Sequence, residues 1–174
     1  MNSMLSNSPR TPLPWHALRV RSNSESLADQ ALRGKGYETF APCRRVRRRW
    51  SDRIREIALP LFPGYVFCRL DALRRTPVLQ SPGVVEIVSV GKSPAPIDER
   101  EIEAVRAVVA SGMETEASGF LRIGNRVRIG AGPLAGAEGV VATIDGRRKF
   151  VVAISLLQRS VSVQMDEGWL LPAQ

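Results

Sequence analysis

Twelve consecutive residues at 44–55, RRVRRRWSDRIR, hold seven arginines and a single aspartate. A run this dense and one-signed lies on a solvated face, and its arginine-only make-up around Trp50 favours a polyanionic partner. The residues on either side read as strands. YETFAPCRRVRRRW enters as a strand that turns basic, SDR at 51–53 is a turn, and REIALPLFPGYVFCRL returns as a second strand. The pattern predicts a long arginine-rich hairpin.

The returning strand carries a second constraint. In LPLFPGYVFCRL (59–70), Pro60 and Pro63 bracket Leu61 and Phe62, Gly64 follows, and Tyr65 to Leu70 is almost wholly apolar. Its two faces, Tyr65/Phe67/Arg69 and Val66/Cys68/Leu70, are both largely apolar, which predicts a central strand covered on each side. The amphipathic stretches 23–33 and 98–110 supply one cover. By composition, Trp15, Phe62 and Tyr65 fill the core, as most aromatics do. Crowded at an uncovered side, they would instead form a patch for a docked helix.

The remaining pattern places these segments in an α+β frame. WHALRVRS (15–22) alternates as a strand. Ser22 and Glu25 have capping-box spacing before a helix with Leu27, Ala28, Ala31 and Leu32 on one stripe, ended by Gly34 and Gly36. VVEIVSVG (84–91) is a strand, and Asp98 caps a helix whose face is Ile102, Val105 and Val109. Residues 14–111 therefore form a mainly antiparallel sheet flanked by helices. Residues 1–13 are polar, proline-rich and expected to be disordered. GMETEASGFL (112–121) reads as a linker. Residues 122–174 are glycine-rich with short β-type runs, and DGRR (145–148) marks a hairpin turn, as in a small five-stranded β-barrel.

Charge and composition narrow the functional classes. The net charge of +8 is uneven: residues 1–111 hold 18 basic and 11 acidic side chains, residues 112–174 hold 7 and 6. The lone His16 and the separated Cys43 and Cys68 indicate no metal site, disulfide framework or catalytic constellation. No apolar run approaches the ~18 residues of a membrane span. The start has no apolar signal region, and the expected setting is cytoplasmic. GAGPLAG (130–136) lacks the lysine and helix of a phosphate loop and reads as turn chemistry. No cofactor and no enzymatic activity are expected.

LPLFPGYVF (59–67), behind a basic hairpin and ahead of SPGVVEIVSVG (81–91) and PAPIDEREI (94–102), resembles the N-terminal domain of the NusG family of transcription elongation factors. IGNRVRIGAGPLAGAEGVVATI (123–144) resembles a KOW domain, an SH3-like barrel. The likeness spans about residues 14–172. RRWSDRIREIALPLFPGYVF (48–67) with LLQRSVSVQMDEGWL (156–170) is most similar to the specialised RfaH and UpxY types of antiterminator. The resemblance implies a monomer that docks on RNA polymerase clamp helices through Trp15, Phe62, Pro63 and Tyr65, with Phe67 beside them. It implies a second polymerase contact near Arg74, Arg75 and Thr76, where RRTP departs from the histidine-threonine motif of the RfaH type. It implies contact with non-template DNA through Arg21, Arg33 and Lys35, to which Arg44, Arg45, Arg47, Arg48 and Arg49 add phosphate attraction. A ribosomal protein or Rho is the partner implied for the KOW domain. Gly130, Gly132, Gly136 and Gly139 disfavour helix there, so a stable barrel without fold switching is expected. The alternative class is an RNA-binding or ribosome-associated KOW protein.

Overall fold

A computed structural model of the chain describes residues 12–51, 53–119, 125–144, 146–165 and 167–169. The expected N-terminal extension lies outside them except for Pro12 and Leu13, and so do Asp52 and Asp145 of the two expected hairpin turns. In chain order the N-terminal elements are β1 (Trp15–Val20), α1 (Glu25–Gly34), β2 (Thr39–Phe40), β3 (Cys43–Trp50), β4 (Arg53–Pro60) and β5 (Tyr65–Arg69). They continue with α2 (Thr76–Leu79), β6 (Val84–Ile87), β7 (Ser89–Val90), β8 (Ser93–Pro94), β9 (Pro96–Ile97) and α3 (Glu99–Ala110). The C-terminal strands are β10 (Thr115–Gly119), β11 (Asn125–Arg128), β12 (Glu138–Ile144), β13 (Arg147–Ile154) and β14 (Arg159–Gln164).

The first sheet has the order β2-β5-β1-β6, with β9 also paired to β1, and every pairing is antiparallel. The expected central strand is therefore β5, between β2 and β1. Because side chains alternate along a strand, the register sorts two faces. Trp15, Ala17 and Arg19 lie opposite Arg69, Phe67 and Tyr65, while His16 and Leu18 lie opposite Cys68 and Val66. On the second face, α1 seats Ala28 with Val20 and Val66, and Leu32 with Leu18, Cys68 and Leu70. On the first face, Trp15, Ala17 and Phe67 join Ile97 and the α3 residues Ile102, Val105 and Val108.

The two long helices thus cover opposite sides of the sheet, not one side as the sequence suggested. An amphipathic stripe fixes which side of a helix is buried, and it carries no information about which side of a sheet receives it. Two finer expectations also change. The helix starts at Glu25 after Ser24, with no side-chain cap, so the Ser22/Glu25 box is not formed, and Leu27 is exposed. The strand expected over 84–91 divides into β6 and β7. Asp98, by contrast, caps α3 as expected, its side chain accepting from the Arg100 amide.

The C-terminal sheet is antiparallel with the order β10-β14-β13-β12-β11. Its first strand comes from the stretch expected to be linker: Thr115–Gly119 pairs in register with Arg159–Val163. Close packing between β12 and β13 requires Gly139, where a Cβ would come within 2.6 Å of the Val151 carbonyl oxygen and 2.7 Å of the Phe150 ring. The two sheets do not have separate apolar cores on the α3 side. Ile129, Leu134, Phe150, Val152, Ile154 and Val161 belong to the same buried cluster as Trp15, Phe62, Phe67 and the α3 residues.

Candidate functional site

The arginine-rich hairpin is a two-stranded sheet of its own, β3 against β4, in unbroken register from Cys43↔Pro60 to Trp50↔Arg53. Its base is half-buried at Val46, Ile57 and Leu59, and Arg44 there donates from Nη1 to the Thr115 carbonyl at 2.8 Å. Its outer half is exposed, with Trp50 at 61% and Ile54 at 69%. Residues paired across the two strands share a face. One face therefore carries Arg48, Arg55, Trp50 and Arg53 at its outer end, and the other carries Arg45, Arg47 and Arg49 with Glu56 and Ile54. Glu56 pairs with Arg45 at 3.8 Å, on the second face.

The loop between the hairpin and β5 is held by backbone bonds. The Leu61 amide donates to the Pro42 carbonyl at 2.9 Å, and the Val20 amide donates to the Gly64 carbonyl at 2.9 Å. Gly64 turns the chain at φ +84°, a left-handed conformation that favours glycine. Its amide donates to Glu25 Oε1 at 2.8 Å, which is why Glu25 is buried at the start of α1.

The aromatic groups divide into buried and accessible. Trp15 and Phe67 are fully buried and Phe62 is 1% exposed, so Trp15 and Phe62 do not form an exposed patch with Tyr65. Phe62 meets Phe67 edge-on, at 5.5 Å between centroids and 77° between planes. Trp15 is committed to its own fold: the Arg69 and Arg106 guanidinium groups lie 4.7 Å and 5.0 Å from its ring centroid, and its Nε1 donates to Glu99 at 3.3 Å. Pro63 and Tyr65 lie nearer the surface, and both meet Arg159 of β14. That side chain donates from Nη1 to the Pro63 carbonyl at 2.8 Å and lies 4.9 Å from the Tyr65 ring centroid. A further link joins the Glu101 carboxylate on α3 to the Ser155 amide, at 3.2 Å and 3.3 Å.

The three DNA candidates near α1 differ in state. Arg21 is exposed. Arg33 donates to Thr39 Oγ1 at 3.0 Å and pairs with Asp29 at 3.0 Å. Lys35 donates to the Pro77 carbonyl at 2.8 Å and to Ser81 Oγ at 2.9 Å, joining the end of α1 to α2. Arg74, Arg75 and Thr76 are exposed at the start of α2, beside a Leu73 that is 93% exposed.

Two buried titratable groups, His16 and Cys68, are held in their neutral forms. Desolvation lowers the His16 pKa, partly offset by its bond to the Pro14 carbonyl, so the ring is held neutral with Nδ1 donating at 3.2 Å. Burial, with Asp29 and Glu38 nearby, pushes the Cys68 thiol up to about 12, which leaves it inert. No cluster of three or more metal-ligating side chains occurs among the described residues.

Sequence reasoning missed Arg159, Glu101 and Glu25, whose partners lie 96, 54 and 39 residues away along the chain. No local pattern marks such contacts. Arg53 and Arg55 belong to the arginine run read as favouring a polyanion, and the register puts them on the Trp50 face.

Residues 13–106 match the family described as transcription termination factor nusG. The chain is 28% identical to the transcription termination/antitermination protein NusG of Borreliella burgdorferi, over 87% of this chain and 94% of that one. It is 29% identical to the protein of the same description from Thermus thermophilus, over 92% and 99%. A solved structure described as domain interaction in Thermotoga maritima NusG aligns with a TM-score of 0.47 at 22% identity, over 90% of this chain and 95% of that one. The match over more than half of the chain, spanning β1 to α3, settles the family: the chain belongs to the NusG family of transcription termination and antitermination factors.

Proposed function

We propose that the protein grips the clamp helices of RNA polymerase through Phe62, Pro63 and Tyr65, touches non-template DNA, and suppresses pausing and termination at specific operons. The observation that supports this reading most is the placement of Pro63 and Tyr65 beside the Phe62–Phe67 pair, with Tyr65 packed on the shared cluster and both contacted by Arg159. Trp15 and Phe67, both fully buried, support Phe62 from behind and do not touch the partner. The C-terminal sheet must leave before a polymerase helix takes its place, so the two compete for one surface. Arg74 and Thr76 offer an exposed second contact. Arg21, Arg33 and Lys35 meet the displaced DNA strand, Arg33 and Lys35 by exchanging intramolecular oxygens for phosphate. No bond is made or broken: bridging two parts of the polymerase favours its closed state by the difference in affinity for the two states, typically ~1–3 kcal/mol.

Recovery of RNA polymerase on the immobilised protein tests the pocket. The expected result is a large loss with Tyr65→Ala, a larger one with Phe62→Ala/Tyr65→Ala, and a gain with Arg159→Ala. Thermal melting of each variant separates lost binding from lost folding, since Phe62 is buried. Equal recovery by folded Tyr65→Ala and wild type would remove the assignment.

A further inference from the structure

We infer that one face of the arginine hairpin, formed by Arg48, Trp50, Arg53 and Arg55, is a binding site for single-stranded nucleic acid, on which a base stacks on Trp50 while the arginines hold the flanking phosphates. The inference deepens the nucleic-acid role proposed above and rests on it. Three observations carry it.

The first is the asymmetry of charge between the two faces. Glu56 is the one carboxylate on β3 and β4, and it lies on the far face, paired with Arg45. The near face has no carboxylate on either strand. The second is that Arg48 stands directly across from Arg55. Like charges at paired positions weaken a hairpin, and two strands alone have little stability to spare. Such an arrangement is relieved when an anion lies between the two guanidinium groups. The third is Trp50, 61% exposed and cross-paired with Arg53 at the outer end of this same face. Its ring is not needed by the interior, which Trp15 and Phe67 already fill.

The geometry favours a single strand over a duplex. Side chains on one strand face repeat every two residues, roughly 6.6 Å, and an extended polynucleotide supplies phosphates along such a track with its bases free. An aromatic platform beside a cationic track is the arrangement by which proteins hold unpaired strands without reading sequence. A duplex keeps its bases stacked on one another and offers Trp50 nothing to stack on.

Fluorescence anisotropy with the full chain and labelled probes of about 15 nucleotides, a length of the order that one such domain covers, tests the site. The probes are oligothymidine, oligouridine and a duplex. Arg48→Gln/Arg55→Gln is expected to weaken single-strand binding at least tenfold and to reduce the slope of log affinity against log salt by about 1.4, two phosphates at about 0.7 each. Trp50→Leu is expected to weaken it by roughly five- to hundredfold with the slope unchanged. Arg47→Gln/Arg49→Gln removes the same charge from the other face and is expected to cost clearly less than the Arg48/Arg55 pair. Binding of either single strand supports the site, and the tighter of the two identifies the sugar it prefers. Equal losses from the two arginine pairs, no effect of Trp50→Leu, or tighter binding of the duplex would each overturn it. Polymerase recovery on the same preparations keeps the two readings apart. Normal recovery with Arg48→Gln/Arg55→Gln leaves the pocket standing whatever the oligonucleotides show, and intact oligonucleotide binding with Tyr65→Ala does the same for the hairpin.

Discussion

The two sides of the N-terminal sheet are closed by different kinds of cover. On one side α1 and α2 enclose Leu18, Leu32, Cys68, Leu70 and Val78 in clusters drawn wholly from the first 111 residues. On the other side Trp15, Phe62 and Phe67 share their cluster with α3 and with the C-terminal sheet. The polar contacts there are few and specific: Arg159 to Pro63 and Tyr65, Glu101 to the Ser155 amide, Arg44 to the Thr115 carbonyl. The first cover is built by helices of the sheet's own segment; the second is shared with residues of the C-terminal sheet, with α3 packed on the same side.

This contrast is open to direct attack. The largest effect is expected from Leu18→Ala, which opens a cavity on the α1 side and costs about 2–5 kcal/mol, measured as a lowered urea midpoint for the N-terminal sheet. Loss of the same size from Arg159→Ala would mean that the two sides are equally integral and the distinction is false. Next is Gly139→Ala, where the added methyl meets the Val151 carbonyl and the Phe150 ring; overpacking of this kind costs about 1–3 kcal/mol. Hydrogen exchange is expected to show faster opening of β12 and β13 while β1 and β5 keep their protection. Coupled loss in both sheets would show one cooperative unit.

Smaller still is Arg159→Ala. Removing one hydrogen bond and one ring contact costs roughly 0.5–1.5 kcal/mol, read as increased exchange at Tyr65 and easier proteolysis between α3 and β10. The smallest effect concerns pH. His16, buried in β1, has its pKa lowered by desolvation, so the unfolded chain binds the proton first as acid is added. Stability is fully present above the ordinary value near 6.5 and falls as the pH drops through it. His16→Gln is expected to flatten that fall in denaturant midpoints taken between about pH 7 and 5, and an unchanged profile would show that the ring does not set it.

What the sequence disclosed follows the range of the forces involved. The hairpin was legible because alternation along β3 and β4 and the SDR turn are local, and so was α3, whose Asp98 cap and Ile102/Val105 stripe lie within two turns. Central placement of β5 was legible because both of its faces are apolar. The side chosen by α3 was not, since a stripe is blind to it. Nor was the fate of Trp15, which depends on Arg69 and Arg106, far along the chain and brought together only by the finished sheet. Thr115–Gly119 looked like a linker because TEASG is polar and ends in glycine; only its register with β14 makes it a strand. The partial cover of Pro63 and Tyr65 was not legible, because Arg159 comes from the other end of the chain.

Because β10 belongs to the C-terminal sheet, only the four residues at 111–114 separate it from α3, not the ten that the sequence suggested. Four extended residues reach roughly 14 Å at most. A short leash of this kind keeps a detached module at a local concentration on the order of millimolar. If the Pro63–Tyr65 surface takes a helix as proposed, that helix competes with a rival that never diffuses away, so its occupancy rises only above a threshold of supply.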